Sequence, residues 1–109
     1  MRLPTDILRG LTPLLVLEAL ADDHLAGREI LARIRERGNG LEIAEGTIYP
    51  LLYRLEAKRW LSASWSTGEG VRSQRCYQVT DAGHKARLEQ RKRWREVAGV
   101  LKPLLGGGE

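Results

Sequence analysis

The stretch EGTIYPLLYRLEAKRW, Glu45 to Trp60, carries two patterns at once. At about 100° per residue, Ile48, Leu51, Leu52 and Leu55 gather within roughly a third of a helix circumference. Tyr49, Pro50, Tyr53, Arg54 and Ala57 occupy the other side. A helix with one apolar side packs that side on a core, so this one is expected to turn two tyrosines and an arginine outward. The same reading puts Pro50 in the first turn, where backbone donors have no intrahelical partner and free N–H groups are open to an anion.

Working outward, TDILRGLTPLLVLEALADD reads as a first helix, opened by Thr5 or Asp6 as a cap and closed near Asp22-Asp23. Pro13 inside it predicts a bend or a shifted boundary. Its apolar residues lie on most sides, so it is expected to be buried. AGREILARIRERGNG reads as a second helix with Ile30, Leu31 and Ile34 on one face, and Gly38-Asn39-Gly40 as its stop. Downstream, LSASWS alternates Leu61, Ala63 and Trp65 against serines, and QRCYQVT alternates Tyr77 and Val79 against polar neighbours, with TGEGVR between them. That is a two-stranded hairpin with a glycine-bearing tip, and its apolar face has to lie on the helices to be stable. From Thr80-Asp81 to about Leu105 a long helical pattern follows, ending in a loose tail from Gly106.

A chain of 109 residues supports one domain and one core. With 42% apolar and 29% charged residues it has the balance of a folded protein rather than a disordered tail. There is no Phe, so Leu, Ile, Val and Trp are expected to fill the interior. The longest apolar stretch, Leu11 to Ala21, is too short to span a bilayer, and no secretory leader is visible; a cytoplasmic protein without membrane contact is expected. Cys76 is the only cysteine and His24 and His84 the only histidines, so no internal disulfide, metal site or cofactor is expected. A small buried thiol is the ordinary reading of Cys76. Ser62, Ser64, Ser66 and Ser73 have no histidine and acid in a nucleophile arrangement, and no glycine-rich loop suggests nucleotide binding, so no enzyme is expected.

Charge is unevenly spread. Residues 1–45 hold six Lys/Arg against eight Asp/Glu, whereas residues 46–109 hold twelve against six. A basic second half points to an anionic partner, with nucleic acid first among the candidates.

Three helices, a hairpin and a last helix are the order of a winged helix-turn-helix. The expected fold class is therefore mainly α with a small two-stranded β-hairpin, plus a long C-terminal helix. In that arrangement the third helix enters the major groove and the hairpin rests on the flanking backbone. Thr47 then sits at the positive helix end, Tyr49 and Tyr53 offer hydroxyls to phosphates, Pro50 shares their face, and Arg54 and Lys58 add charge. Arg72 and Arg75 are placed near the hairpin tip, where Gly68 and Gly70 allow close approach and Glu69 opposes it. The rival use of the same face is a winged-helix module that binds another protein.

The last helix has more apolar stripe than so small a core can cover, which predicts a homodimer through Trp94, Val97, Ala98, Leu101, Leu104 and Leu105. The expected division is a DNA-binding unit over residues 1–80, a dimerisation helix over 81–105 and a tail over 106–109.

EGTIYPLLYRLEAKRWL, a Trp-containing strand and CYQVTDAG together resemble the PadR family of bacterial transcriptional regulators, and ILRGLTPLLVLEALADDHLAGREILARI is similar to that family's first two helices. Overall length resembles its short branch, in which one C-terminal helix supplies the dimer contact. The resemblance implies a regulator of transcription, expected to repress by binding double-stranded DNA at an inverted repeat, with Thr47, Tyr49 and Arg54 on the DNA side and Tyr49 at a phosphate. It also implies a second reading of Trp94: some relatives bind planar, hydrophobic effectors between these helices, whereas an aromatic at helical spacing is ordinarily core or dimer contact. The chain departs from the pattern at Gly27-Arg28-Glu29, where an aromatic is common at position 28. It departs again at Gln74-Arg75-Cys76-Tyr77, with one cation and one aromatic fewer, and at Arg59-Trp60, where a glycine usually makes the turn.

Overall fold

The computed structural model describes residues 1–66 and 73–106. In chain order the elements are α1 (Thr5–Leu20), β1 (Leu25–Ala26), α2 (Gly27–Arg37), α3 (Glu45–Ala57), β2 (Leu61–Ser66), β3 (Gln74–Val79) and α4 (Asp81–Leu104). The sheet has three antiparallel strands in the order β1-β3-β2. The hairpin is therefore present but not alone. Leu25 pairs with Tyr77 and Ala26 with Cys76, a two-residue strand too short to leave an alternating pattern in the sequence.

Helix ends follow from backbone donors and acceptors more than from side-chain caps. Thr5 and Asp6 do not cap α1; Pro4 precedes it, and the Leu8 N–H donates to the Pro4 carbonyl at 3.0 Å. The helix runs through Pro13 without a break, although Pro13 cannot donate to the Arg9 carbonyl. One residue earlier, the buried Thr12 hydroxyl donates to the Leu8 carbonyl. At the start of α2 the Glu29 carboxylate accepts from the Ala26 N–H at 2.9 Å. The expected stop is in place after it: Asn39 and Gly40 have φ of 55° and 80°, and the Gly40 N–H closes on the Arg35 carbonyl.

Pro50 lies deeper than expected, at the sixth residue of α3. Its nitrogen would otherwise bond the Gly46 carbonyl, which is exposed and can turn to water instead. At the other end of α3 the chain makes the tight turn without glycine. Arg59 takes φ of 65°, while the Trp60 N–H bonds the Leu55 carbonyl at 3.0 Å and the Arg59 N–H bonds that of Glu56 at 2.9 Å. Those two bonds are a Schellman motif, and they hold an arginine in the left-handed region.

Thr80 ties this turn to α4. Its hydroxyl accepts from the Gly83 N–H at 3.0 Å and donates to the Arg59 carbonyl at 2.5 Å. A Cβ at Gly83 would lie 2.1 Å from the Trp60 carbonyl oxygen, so only glycine lets the helix start this close to the turn.

Val16, Leu17 and Leu20 of α1, Ile30 of α2, Ile48, Leu52 and Leu55 of α3, Leu61 of β2 and Tyr77 of β3 meet in one core. No tryptophan is fully buried; Tyr77, at 1% exposure, is the aromatic that fills the interior. Burial pushes its phenol above the usual range. Along β2 burial fades from Leu61 outward, and Trp65 at 65% exposure lies past the cover of the helices.

Candidate nucleic-acid interface

The residues of α3 divide by angle. Ile48, Leu51, Leu52 and Leu55 face the core and are buried, as the apolar spacing requires. Gly46, Pro50, Tyr53 and Ala57 form the opposite ridge, and all four are exposed. Three of these are small, so the helix can approach a surface closely along this ridge, and Tyr53, 54% exposed, is its one hydrogen-bonding side chain. Thr47, Arg54 and Lys58 are exposed beside it. Among the described residues neither Arg54 nor Lys58 has a carboxylate partner; the Lys58 ammonium lies 4.8 Å from the centre of the Trp60 ring.

Ala44 leaves the start of α3 without a side-chain cap, and the Thr47 and Ile48 N–H groups both turn to the Ala44 carbonyl. The N–H groups of Glu45 and Gly46 precede these bonds and face outward at an exposed helix start. Glu45 would oppose an anion there, but Arg28 of α2 holds its carboxylate at 3.2 Å. Arg28 itself is 81% exposed at the side chain, so a charge at this position disturbs no packing.

Tyr49 is half-buried and set by a glycine. A Cβ at Gly27 would come within 2.6 Å of the Tyr49 ring and 2.9 Å of its hydroxyl, so the hydroxyl-bearing edge of the ring packs closely on the first turn of α2. Ala26, Gly27, Arg28, Tyr49, Ser73, Gln74 and Arg75 line one cleft of about 440 Å³ between this turn, α3 and β3.

Arg75 enters that cleft already engaged. Its Nη2 donates to both oxygens of Glu56 at 2.6 Å, and its guanidinium lies 5.9 Å from the ring centres of Tyr53 and of Tyr77. The hydrogen bond to Glu56 raises its pKa above the ordinary arginine value, so the charge is permanent. Its Nε has no partner and no exposure. Arg75 thus links β3 to α3 and braces Tyr53. Glu56, its partner, was not apparent as a site residue in the sequence, because a pair nineteen residues apart leaves no helical spacing to read. Arg72, with Gly68, Glu69 and Gly70, lies outside the described residues.

On α4, Trp94 packs along α1: its ring edge lies 4.0 Å from where a Gly10 Cβ would stand, and its Nε1 donates to Gln90 at 3.3 Å. Glu18 of α1 accepts from Arg87 at 3.0 Å and Arg91 at 2.8 Å, locking the two helices together. Val97, Ala98, Leu101, Leu104 and Leu105 are exposed, the last two at 76% and 78%. Cys76 is buried in β3. Among the described residues no helix is long and apolar enough to cross a membrane, and no cluster of potential metal ligands occurs.

Residues 16–89 match the model of the transcriptional regulator PadR-like family. The transcriptional regulator Rv3488 of Mycobacterium tuberculosis is 32% identical over 99 residues, covering 91% of this chain and 87% of that protein. A PadR family transcriptional regulator from Eggerthella lenta superposes with a TM-score of 0.77 at 28% identity, over 92% of this chain and 86% of its own. One from Clostridium difficile gives a TM-score of 0.74 at 26% identity, over 87% and 98%. With a helix-turn-helix whose third helix is bare on one side, a three-stranded wing and a family match across more than half its length, this chain belongs to the PadR-like family of transcriptional regulators, which are not enzymes.

Proposed function

We propose that the protein is a repressor that binds an inverted-repeat operator as a homodimer, with α3 of each subunit in a major groove and β2-β3 against the flanking backbone. The observation that carries this reading is the exposed ridge of α3, where small residues surround Tyr53 and cations without a carboxylate partner among the described residues flank it. A groove about 12 Å wide admits a helix along such a ridge, and two grooves on one side of a duplex recur about every 34 Å. Tyr49, Thr47, Arg54 and Lys58 position the helix on phosphates, and Tyr53 is the side chain nearest to base edges. Occupancy of a promoter by the dimer excludes polymerase, which gives repression. The exposed apolar residues of α4 support the dimer, and a planar hydrophobic effector lodging beside Trp94 would release the DNA by changing how the two α4 helices sit.

Footprinting on the DNA upstream of the protein's own gene tests the reading. Two protected half-sites one helical turn apart are expected, with affinity falling steeply as salt rises because neutralised phosphates release counterions. Arg54→Ala should flatten the log–log salt slope by about one unit for each subunit bound. Binding that ignores both salt and sequence would refute the reading and favour a protein partner for the α3 ridge. For the effector, a variant with Trp60→Phe and Trp65→Phe leaves Trp94 as the sole indole; its emission should shift when planar aromatic compounds are titrated, and a constant spectrum would remove the effector.

A further inference from the structure

We infer that a second phosphate-binding cleft, built by α1, lies on the opposite flank of α3 from the wing and takes the other strand of the duplex backbone. The inference rests on the DNA-binding reading above and adds a site to it. Thr5, Arg9 and Thr12 of α1 and Thr47, Pro50, Leu51 and Arg54 of α3 line a cleft of about 140 Å³. Its floor is the buried Thr12 and Leu51; its rim is Thr5, Arg9, Thr47 and Arg54, all exposed. Among the described residues neither arginine is paired with a carboxylate, and no acidic residue lines the cleft. Two guanidinium groups brought to one small cleft without a counter-charge repel each other, and an anion between them relieves that repulsion.

The class of anion follows from where the cleft lies. Around α3 the exposed ridge of Gly46, Pro50, Tyr53 and Ala57 is flanked on one side by Tyr49 and Glu56, which face α2 and β3, and on the other by Thr47, Leu51 and Arg54, which face α1. A helix seated in a major groove has one phosphate strand on each side of it. The wing-side cleft serves one strand. The α1-side cleft, with two guanidinium groups and two hydroxyls, has the donors a phosphodiester accepts from, arranged where the second strand passes. Thr5 also opens α1, whose first N–H groups have no side-chain cap and add donors at this rim. Arg9 and Thr5 are thereby assigned as DNA-backbone residues outside the helix-turn-helix and the wing.

The test measures affinity for a fluorescent duplex carrying the upstream DNA across a range of sodium chloride concentrations. Arg9→Ala is expected to lower the log–log slope by about 0.9 for each bound subunit, which amounts to roughly an eightfold greater loss of affinity at 0.1 M salt than at 1 M. Arg9→Lys should keep most of the slope. Lys92→Ala, which removes an exposed cation from α4, should leave it as in the wild type. Thr5→Glu puts a carboxylate one turn before Arg9, where it competes with phosphate for that guanidinium, and should weaken binding as well, so the proposal is still tested if one variant folds poorly. A wild-type slope in Arg9→Ala, with steep binding by the wild type, overturns the cleft and leaves the regulator reading standing; so does an equal drop in Lys92→Ala, which would make the effect one of overall charge. Inorganic phosphate replacing chloride at fixed ionic strength should not displace the duplex. Displacement from the wild type and not from Arg9→Ala would give the cleft to a free phosphate ligand and overturn the duplex as its occupant. Absence of any salt-dependent duplex binding by the wild type would remove the cleft together with the reading it rests on.

Discussion

At Arg59 a side chain occupies the conformation that glycine adopts most readily. The Schellman bonds from Trp60 and Arg59 fix the turn, so the residue bears the cost of the left-handed region and the fold persists. Arg59→Gly should raise unfolding free energy by about 1 kcal/mol, read as a shift of the urea midpoint without change in slope; a fall in stability would mean that the arginine side chain contributes more than the backbone strain removes. Tyr77 gives a second expectation. Burial raises its phenol above the ordinary value, so the folded chain keeps this proton after the unfolded chain, with its pKa of about 10, has lost it. Its contribution is fully present below pH ~10 and is lost as pH rises through the higher folded value. Tyr77→Phe should therefore flatten the decline of stability as pH rises above about 10. An equal decline in both proteins would assign the alkaline loss to other groups.

Among the elements, α3 was the most legible. Its apolar spacing named the four buried residues and, by elimination, the outward ridge, because a helix with one apolar stripe has one way to dock. Pro50 lies one turn deeper than its spacing suggests because Ala44, not a side-chain cap, precedes the helix, so no residue type marks where the helix begins. β1 was invisible for a related reason: two residues carry no period, and their pairing with Tyr77 and Cys76 is decided fifty residues away. The Arg75–Glu56 pair and the seat of Tyr49 on Gly27 are likewise tertiary, and the sequence holds them only as unconnected residues. Helix α4 offers a matched test of this distinction, since two of its glycines differ only in surroundings. Gly83 abuts the Trp60 carbonyl, whereas a Cβ at Gly99 would meet nothing within 4 Å. Gly83→Ala should destabilise by roughly 1–3 kcal/mol through overpacking, and Gly99→Ala should stabilise by about 0.5–1 kcal/mol through backbone entropy. Thermal melts of the two variants should move in opposite directions; movement in the same direction would mean that the contact at Trp60 does not constrain the helix start.

For the whole molecule, the question is what becomes of α4 beyond Trp94. Its 24 residues span about 36 Å, and α1 holds its first half through Glu18, Arg87, Arg91 and the Trp94–Gly10 contact. From Arg95 onward every described residue is exposed, including Val97, Leu101 and Leu104, which continue at i, i+4 and i+7 the face that Trp94 begins. An apolar stripe that leaves its own subunit in mid-helix marks a surface for a partner, and in the dimer proposed above an identical stripe related by a two-fold axis covers it. The same axis would set two α3 ridges on one side of a duplex, so that the second subunit binds as an intramolecular event. Leu101→Glu with Leu104→Glu places four carboxylates across that axis in a dimer and should yield monomers by sedimentation at concentrations where the wild type is dimeric. On a duplex with both half-sites, the monomeric variant should lose about 10²-fold or more in affinity, the part contributed by linkage. On a duplex with a single half-site it should bind as the wild-type subunit does, since α3 and the wing are untouched. A variant that stays dimeric, or one that binds both duplexes as the wild type does, would place the dimer contact elsewhere and leave the exposed leucines of α4 for a different partner.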